Sequence, residues 1–124
     1  MTEAQFQRSV IELAQINGWR VFHARKAQNG KGAWRTPVAA DGAGFPDLVL
    51  VKDGRLVFAE LKTDTGRLRP EQKQWLDELS LVGIDSAGCH ECGGAQSFYD
   101  TVIWRPKDWD DILATLNTRN TSPF

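Results

Sequence analysis

The fold of this chain turns on the stretch GFPDLVLVKDGRLVFAELK, residues 44–62. Apolar residues alternate through it on both faces, with Val49, Val51, Leu56 and Phe58 on one side and Leu48, Leu50, Val57, Ala59 and Leu61 on the other. Strands that are apolar on both faces belong in the middle of a sheet, covered by helices on either side. Between the two runs stands Asp53-Gly54, a dipeptide that favours a two-residue type I′ turn. Such a turn sets the register behind it: Lys52 faces Arg55, Val49 faces Phe58 and Asp47 faces Glu60. Directly opposed Cβ atoms lie roughly 4.5–5.5 Å apart, and alternation puts Lys62 on the same face, one step beyond Glu60.

Two carboxylates and an ammonium group therefore converge at one end of a buried hairpin. Opposed like charges destabilise a sheet, and partial burial adds a desolvation cost. A divalent cation offsets both. Oxygen ligands in this arrangement suit Mg²⁺ or Mn²⁺, which retain several waters and accept one or two carboxylates together with phosphate oxygens. Lys62 then serves the attacking water or the charge developing on a phosphate, so the set fits metal-assisted phosphodiester hydrolysis. The plainer reading, charged residues merely solvated at strand ends, accounts for the residue types but not for their shared face.

Working outward, residues 2–17 repeat Phe6, Val10, Leu13 and Ala14 at helical spacing, with Thr2 as N-cap and Gly18 as stop. A strand follows over 19–25, and then KAQNGKGAWRTPVAADGAG (26–44), a long segment without period of the kind that is mobile or functional. A second helix is expected from Pro70 to Val82, closed by Gly83, with Trp75, Leu76 and Leu79 facing inward. SFYDTVIW (97–104) reads as another strand, and WRPKDWDDILATL (104–116) as a closing helix capped by Asp108. Helices before, between and after the strands place the chain in the α/β or α+β class. One domain over 1–117 and a disordered tail over 118–124 are expected.

Composition narrows the setting. With 124 residues, 41% hydrophobic and 25% charged, the chain has the makings of a globular core. No apolar run approaches the roughly 18 residues of a membrane span, and MTEAQFQRS lacks the apolar stretch of a secretory signal. Two cysteines make no disulfide framework. An intracellular, cytoplasmic protein is expected, with no membrane partner. Its net charge of -1 is not that of a general nucleic-acid binder. Residues 18–46 nevertheless hold Arg20, Arg25, Lys26, Lys31 and Arg35 against Asp41 alone.

Gly44-Phe45-Pro46-Asp47-Leu48, Ala59-Glu60-Leu61-Lys62 and Arg69-Pro70-Glu71-Gln72 together resemble the VRR-NUC family of the PD-(D/E)XK nuclease superfamily. The similarity extends over the order of elements from Glu3 to Trp109. It implies an α/β, PD-(D/E)XK nuclease-like fold: a mixed β-sheet core flanked by helices. It also implies dependence on Mg²⁺ or Mn²⁺ and action on DNA, with Asp47 and Glu60 as metal ligands and Lys62 as the catalytic lysine. The family tends to place a glutamate of the first helix at the site, and the chain offers Glu3 and Glu12. At about 100° per residue, Glu3 lies within roughly 20° of Val10 and Ala14 on the inward stripe, whereas Glu12 points the opposite way. Glu3 is the candidate, as catalytic residue and ligand; a first-turn glutamate favoured by the helix dipole is the simpler account of it. Gln72 precedes Trp75, Leu76 and Leu79 by three, four and seven residues, on the buried stripe of the second helix. A glutamine there needs partners, and the resemblance makes it an active-site residue.

For contact with DNA the candidates are His23, which alternates with Val21 and Arg25, together with Arg25, Lys26, Lys31, Trp34 and Arg35, which mix basic charge with an aromatic ring. Cys89-His90-Glu91-Cys92 invites a zinc reading, but four ligands are needed and the only other histidine is His23. The expected activity is a metal-dependent DNA endonuclease, structure-selective on branched DNA in the manner of a Holliday-junction resolvase and acting as a homodimer. The alternatives are a restriction-type or repair nuclease whose recognition comes from an accessory protein, and a fold of this type that only binds nucleic acid.

Overall fold

The structure, a computed structural model, describes residues 1–23, 40–82 and 99–117 in full, and 27–28 and 34–35 by their backbone. Helix α1 (Glu3–Ile16) starts on Thr2, whose Oγ1 accepts from the Gln5 amide at 3.1 Å while Gln5 Oε1 accepts from the Thr2 amide at 2.8 Å. That reciprocal pair satisfies two amides the helix itself cannot. At the other end Gly18, at φ +88°, turns the chain in the left-handed region that favours glycine. Phe6, Val10 and Ala14 are buried along α1, and Leu13 packs against the same core.

Strand β1 (Arg20–His23) is followed by a small antiparallel pair, β2 (Ala27–Gln28) with β3 (Trp34–Arg35). The absence of period over 26–44 hid this pair, because two-residue strands are too short to show alternation. Then come β4 (Leu48–Lys52), β5 (Arg55–Leu61), α2 (Pro70–Leu81), β6 (Tyr99–Trp104), a 3₁₀ turn (Pro106–Asp108) and α3 (Trp109–Asn117). The main sheet runs β1-β4-β5-β6, antiparallel except for β5 with β6. It is a mixed sheet with flanking helices, the α/β nuclease-like architecture expected. The parallel step from β5 to β6 is made through α2.

The hairpin has the expected register. Lys52 pairs with Arg55 and Val49 with Phe58, and Asp53 and Gly54 both adopt positive φ, +48° and +80°, as a type I′ turn requires. Strands β4 and β5 are the central pair. The two faces are not equally covered, however. Leu48, Leu50, Val57, Ala59 and Leu61 are fully buried and share the core with Phe6, Val10 and Ala14 of α1 and Ile112 and Leu116 of α3. On the other face an edge-to-face chain of rings, Trp75 to Phe45 to Phe58 to Tyr99, joins α2 to the sheet at centroid spacings of 5.0, 5.9 and 5.7 Å. That cover stops short of β1: Val51 remains 46% exposed and Phe22 60%.

Two boundaries differ from expectation, and others fall outside the described residues. Helix α2 ends at Leu81 because Val82 is already extended, so its stop precedes Gly83, which lies outside the described residues. Asp108 is not the N-cap of α3. It closes a 3₁₀ turn, its Oδ2 accepting from the Arg105 amide at 2.9 Å. Strand β1 is described only to His23, and residues 97–98 and the tail 118–124 lie outside the described residues. No helix among the described residues is long and apolar enough to cross a membrane.

Candidate active site

Glu60 is the residue around which the site is built. It sits near the end of the central strand β5, on the face that α2 covers, and is only 1% exposed. Its Oε1 lies 3.5 Å from Gln72 Nε2, at the long limit of a hydrogen bond, and its Oε2 has no protein partner. A buried ionised oxygen without a partner is costly. The carboxyl answers by holding its proton: its pKa is pushed up to about 9, chiefly by burial, then by hydrogen bonding to Asp47 and by the charge of Asp47. Lys62 acts the other way, and Glu3 adds a smaller upward push. A bond between the two carboxyls exists only while a proton is shared; ionised, Oε2 is left without a partner.

Asp47 stands just ahead of β4 rather than within its ladder. Asp47 stays close enough to Glu60 for the two carboxyls to interact, and its Oδ2 also accepts from the Leu61 amide at 2.9 Å. That bond ties the aspartate across the hairpin end. Lys62 follows β5 directly, and its own amide donates to the Trp104 carbonyl at 3.0 Å, so its backbone is held to β6.

Gln72 is 7% exposed in the first turn of α2. Its amide orientation is fixed from the other side, because Oε1 accepts from the Arg69 amide at 2.8 Å, which turns Nε2 toward Glu60. What seats this turn against the Asp47 loop is Gly44. A Cβ built there meets the Glu71 carbonyl carbon at 2.7 Å and the Gln72 nitrogen at 2.8 Å, and the residue has φ +85°. Both facts demand glycine. The sequence carries one signal of this contact, a glycine immediately before Phe45-Pro46-Asp47, but spacing alone does not reveal what Gly44 touches.

Glu3 is near enough for its charge to act on Glu60. Yet among the described residues no three histidine, cysteine, aspartate or glutamate side chains form a group able to hold a metal. Asp47 and Glu60 are therefore not completed by Glu3 into an enclosing cage. The donor set, two carboxylates with one orphaned buried oxygen, fits a hard cation that keeps waters and takes few protein ligands.

His23 pairs with Leu48 and Val21 with Leu50, so both lie on the core face of the sheet, opposite the face that carries Glu60. The structure does not bring His23 together with the carboxylates. Arg25, Lys26 and Lys31 lie outside the described residues, as do the side chains of Trp34 and Arg35 and the whole Cys89-to-Cys92 segment.

Comparison with curated proteins finds no match. The family profile of the VRR-NUC domain matches residues 6–91, a span that takes in α1 from Phe6, the hairpin with Asp47, Glu60 and Lys62, and the first turn of α2 with Gln72. With well over half of its length matched and a mixed sheet that carries the P-D, E-x-K residues at one end, the chain belongs to the VRR-NUC domain family of nuclease-type domains.

Proposed function

We propose that this protein is a metal-dependent DNA endonuclease, an intracellular hydrolase of phosphodiester bonds. The observation that carries the reading is Glu60 Oε2, a buried carboxylate oxygen with no partner, beside a second carboxylate and a lysine. A domain that only bound DNA would have no use for so costly a group. Asp47 and Glu60 would hold Mg²⁺ or Mn²⁺, which when bound supplies Lewis-acid stabilisation of the phosphate and a more acidic water.

The chain's own residues do the rest. The Leu61 amide fixes one oxygen of Asp47 and leaves the other for the cation. Gln72 is pinned through Arg69, so its amide orients Glu60 and whatever lies beside it. Lys62 provides positive charge at the end of β5, where it opposes the repulsion between the carboxylates and would meet the charge that develops on the scissile phosphate. Glu3 adds negative charge that reaches Glu60 and would help to hold the cation.

The finer reading is selectivity for branched DNA by a homodimer. Paired cuts in a four-way junction need two sites at fixed separation, and a closed twofold dimer is the commonest way to supply them. The DNA backbone would run along the basic segment 18–46, with Arg25, Lys26, Lys31, Trp34 and Arg35 in contact, and binding would weaken steeply with salt.

The test is a cleavage panel of duplex, flap, splayed and four-way junction DNA with Mg²⁺, Mn²⁺ or EDTA, run beside light scattering of the protein with and without junction. Metal-dependent cutting that favours the junction, by a dimer, is expected. Activity that survives thorough chelation sinks the metal mechanism. A monomer that nicks linear duplex as readily as junctions leaves the nuclease but removes the junction reading. Cutting that appears only with an added recognition subunit favours the restriction-type or repair alternative.

A further inference from the structure

Lys62 is the first residue after β5, where the chain leaves the sheet, and a lysine at such a point is normally a mobile one, with four rotatable bonds and no strand to follow. Here the turn that follows it is held from across the fold. Residues 63–66 close on themselves through the Gly66 amide, which donates to the Thr63 carbonyl at 3.2 Å. Into this turn reaches Arg105, from the end of β6: its Nη1 donates to the Thr63 carbonyl and to the Gly66 carbonyl, each at 2.6 Å. Beside it, Asp64 Oδ1 accepts from the Lys107 amide at 3.0 Å. Arg105 is itself fixed, since its amide donates to Asp108 Oδ2 at 2.9 Å. The turn and the 3₁₀ segment thus brace each other in both directions.

The brace bears on the Lys62 side chain as well as on its backbone. A Cβ added at Gly66 would fall 3.6 Å from Lys62 Cδ, so the aliphatic stem of Lys62 passes close to the turn that Arg105 holds. With the Lys62 amide bonded to the Trp104 carbonyl, the residue before Arg105, one short segment fixes both the root and the stem of the lysine. This segment lies beyond the residues that the family profile matches.

We propose that Arg105 is a positioning residue for Lys62, setting the direction in which the ammonium group meets the phosphate of a nucleic-acid substrate. The proposal rests on the nuclease reading for its consequence, though not for its geometry. Charge alone does not explain the arrangement. Arg105 spends its Nη1 on two main-chain carbonyls of a single turn, the pattern of a side chain that shapes a loop.

The experiment compares the full chain with Arg105→Met, which keeps the stem and removes the donors, and with Asp64→Ala, which removes the second contact. Single-turnover cleavage at saturating DNA and metal is measured together with spectra of ¹³C-labelled lysine. In the parent, the Lys62 side-chain resonance should be distinct. In Arg105→Met it should move to the position of mobile lysines while Lys52 stays in place, and the cleavage rate should fall about 10- to 100-fold with DNA affinity little changed. Asp64→Ala should show the same two changes more weakly, and it carries the test if Arg105→Met does not fold. A Lys62 resonance unmoved in both variants overturns the proposal, as does full cleavage rate with a mobilised Lys62. A parent that cuts no DNA with either metal overturns the nuclease reading instead, and the lysine spectra still report whether Arg105 holds Lys62.

Discussion

Gln72 Nε2 stands 3.5 Å from one oxygen of Glu60 while the other oxygen of that carboxylate, equally buried, meets no donor. The glutamine cannot swing closer to serve both, because its own oxygen is bonded to the Arg69 amide at 2.8 Å. The site is therefore built short of one partner, and its chemistry follows from that deficit.

The first consequence is a pH dependence of folding in metal-free buffer. Glu60 has its pKa raised from 4.5 to about 9, mainly by burial, so between those values the folded protein keeps a proton that the unfolded chain releases. Its contribution to stability is present in full below about 4.5 and is lost as pH rises through about 9. Denaturant midpoints measured in EDTA should fall across this window. A flat profile would show that Glu60 is ionised in the folded state.

Metal binding should reverse that trend and release a proton. Titration calorimetry with Mn²⁺ near pH 7, repeated in buffers of different ionisation enthalpy, should give a heat that depends on the buffer. Glu60→Gln should abolish the dependence along with most of the affinity. Without metal, Glu60→Gln should match the parent in stability or exceed it by up to about 1 kcal/mol, because it replaces a carboxyl that must hold a proton to stay buried with a neutral amide that can still donate to Asp47. Asp47→Asn should behave alike, since it keeps an acceptor for the Leu61 amide. Loss of stability in both variants would make the carboxylates structural.

Lys62→Ala should lower cleavage by about 100-fold or more, the size seen when one preorganised charge or donor is removed from a developing oxyanion. Metal and DNA binding should remain, read by calorimetry and by anisotropy of labelled DNA. Cleavage at the parent rate would leave Lys62 as a surface residue.

Gly44→Ala should destabilise the protein by about 1–3 kcal/mol through overpacking against the first turn of α2. The turn carries Gln72, so activity should fall further than stability explains. Thermal melts beside single-turnover rates separate the two effects; full activity in a folded Gly44→Ala would mean that α2 can shift without disturbing Glu60.

Much of this was legible in the residues alone, and the reason is local. Asp53 and Gly54 accept positive φ, which selects the turn; the turn selects the register; and a period of two then sorts Glu60 and Lys62 from Leu61. Thr2 and Gly18 mark the ends of α1 by equally local hydrogen bonding and backbone freedom. What sequence could not decide was which of two apolar faces would be sealed. That depends on helices contributed from both ends of the chain: α1 and α3 close over Leu48 and Leu61, and α2 covers Glu60 while Val51 and Phe22 stay open. The same sorting put His23 on the core face. Nor could spacing reveal that Gly44 would touch Gln72, or that Arg105 would reach back 42 residues to the carbonyl of Thr63. Periodicity and turn chemistry act between near neighbours and so can be read along the chain. The burial of a carboxylate, the absence of a partner for one of its oxygens and the brace behind a lysine arise only when distant segments exclude water together, and the tertiary structure alone decides them.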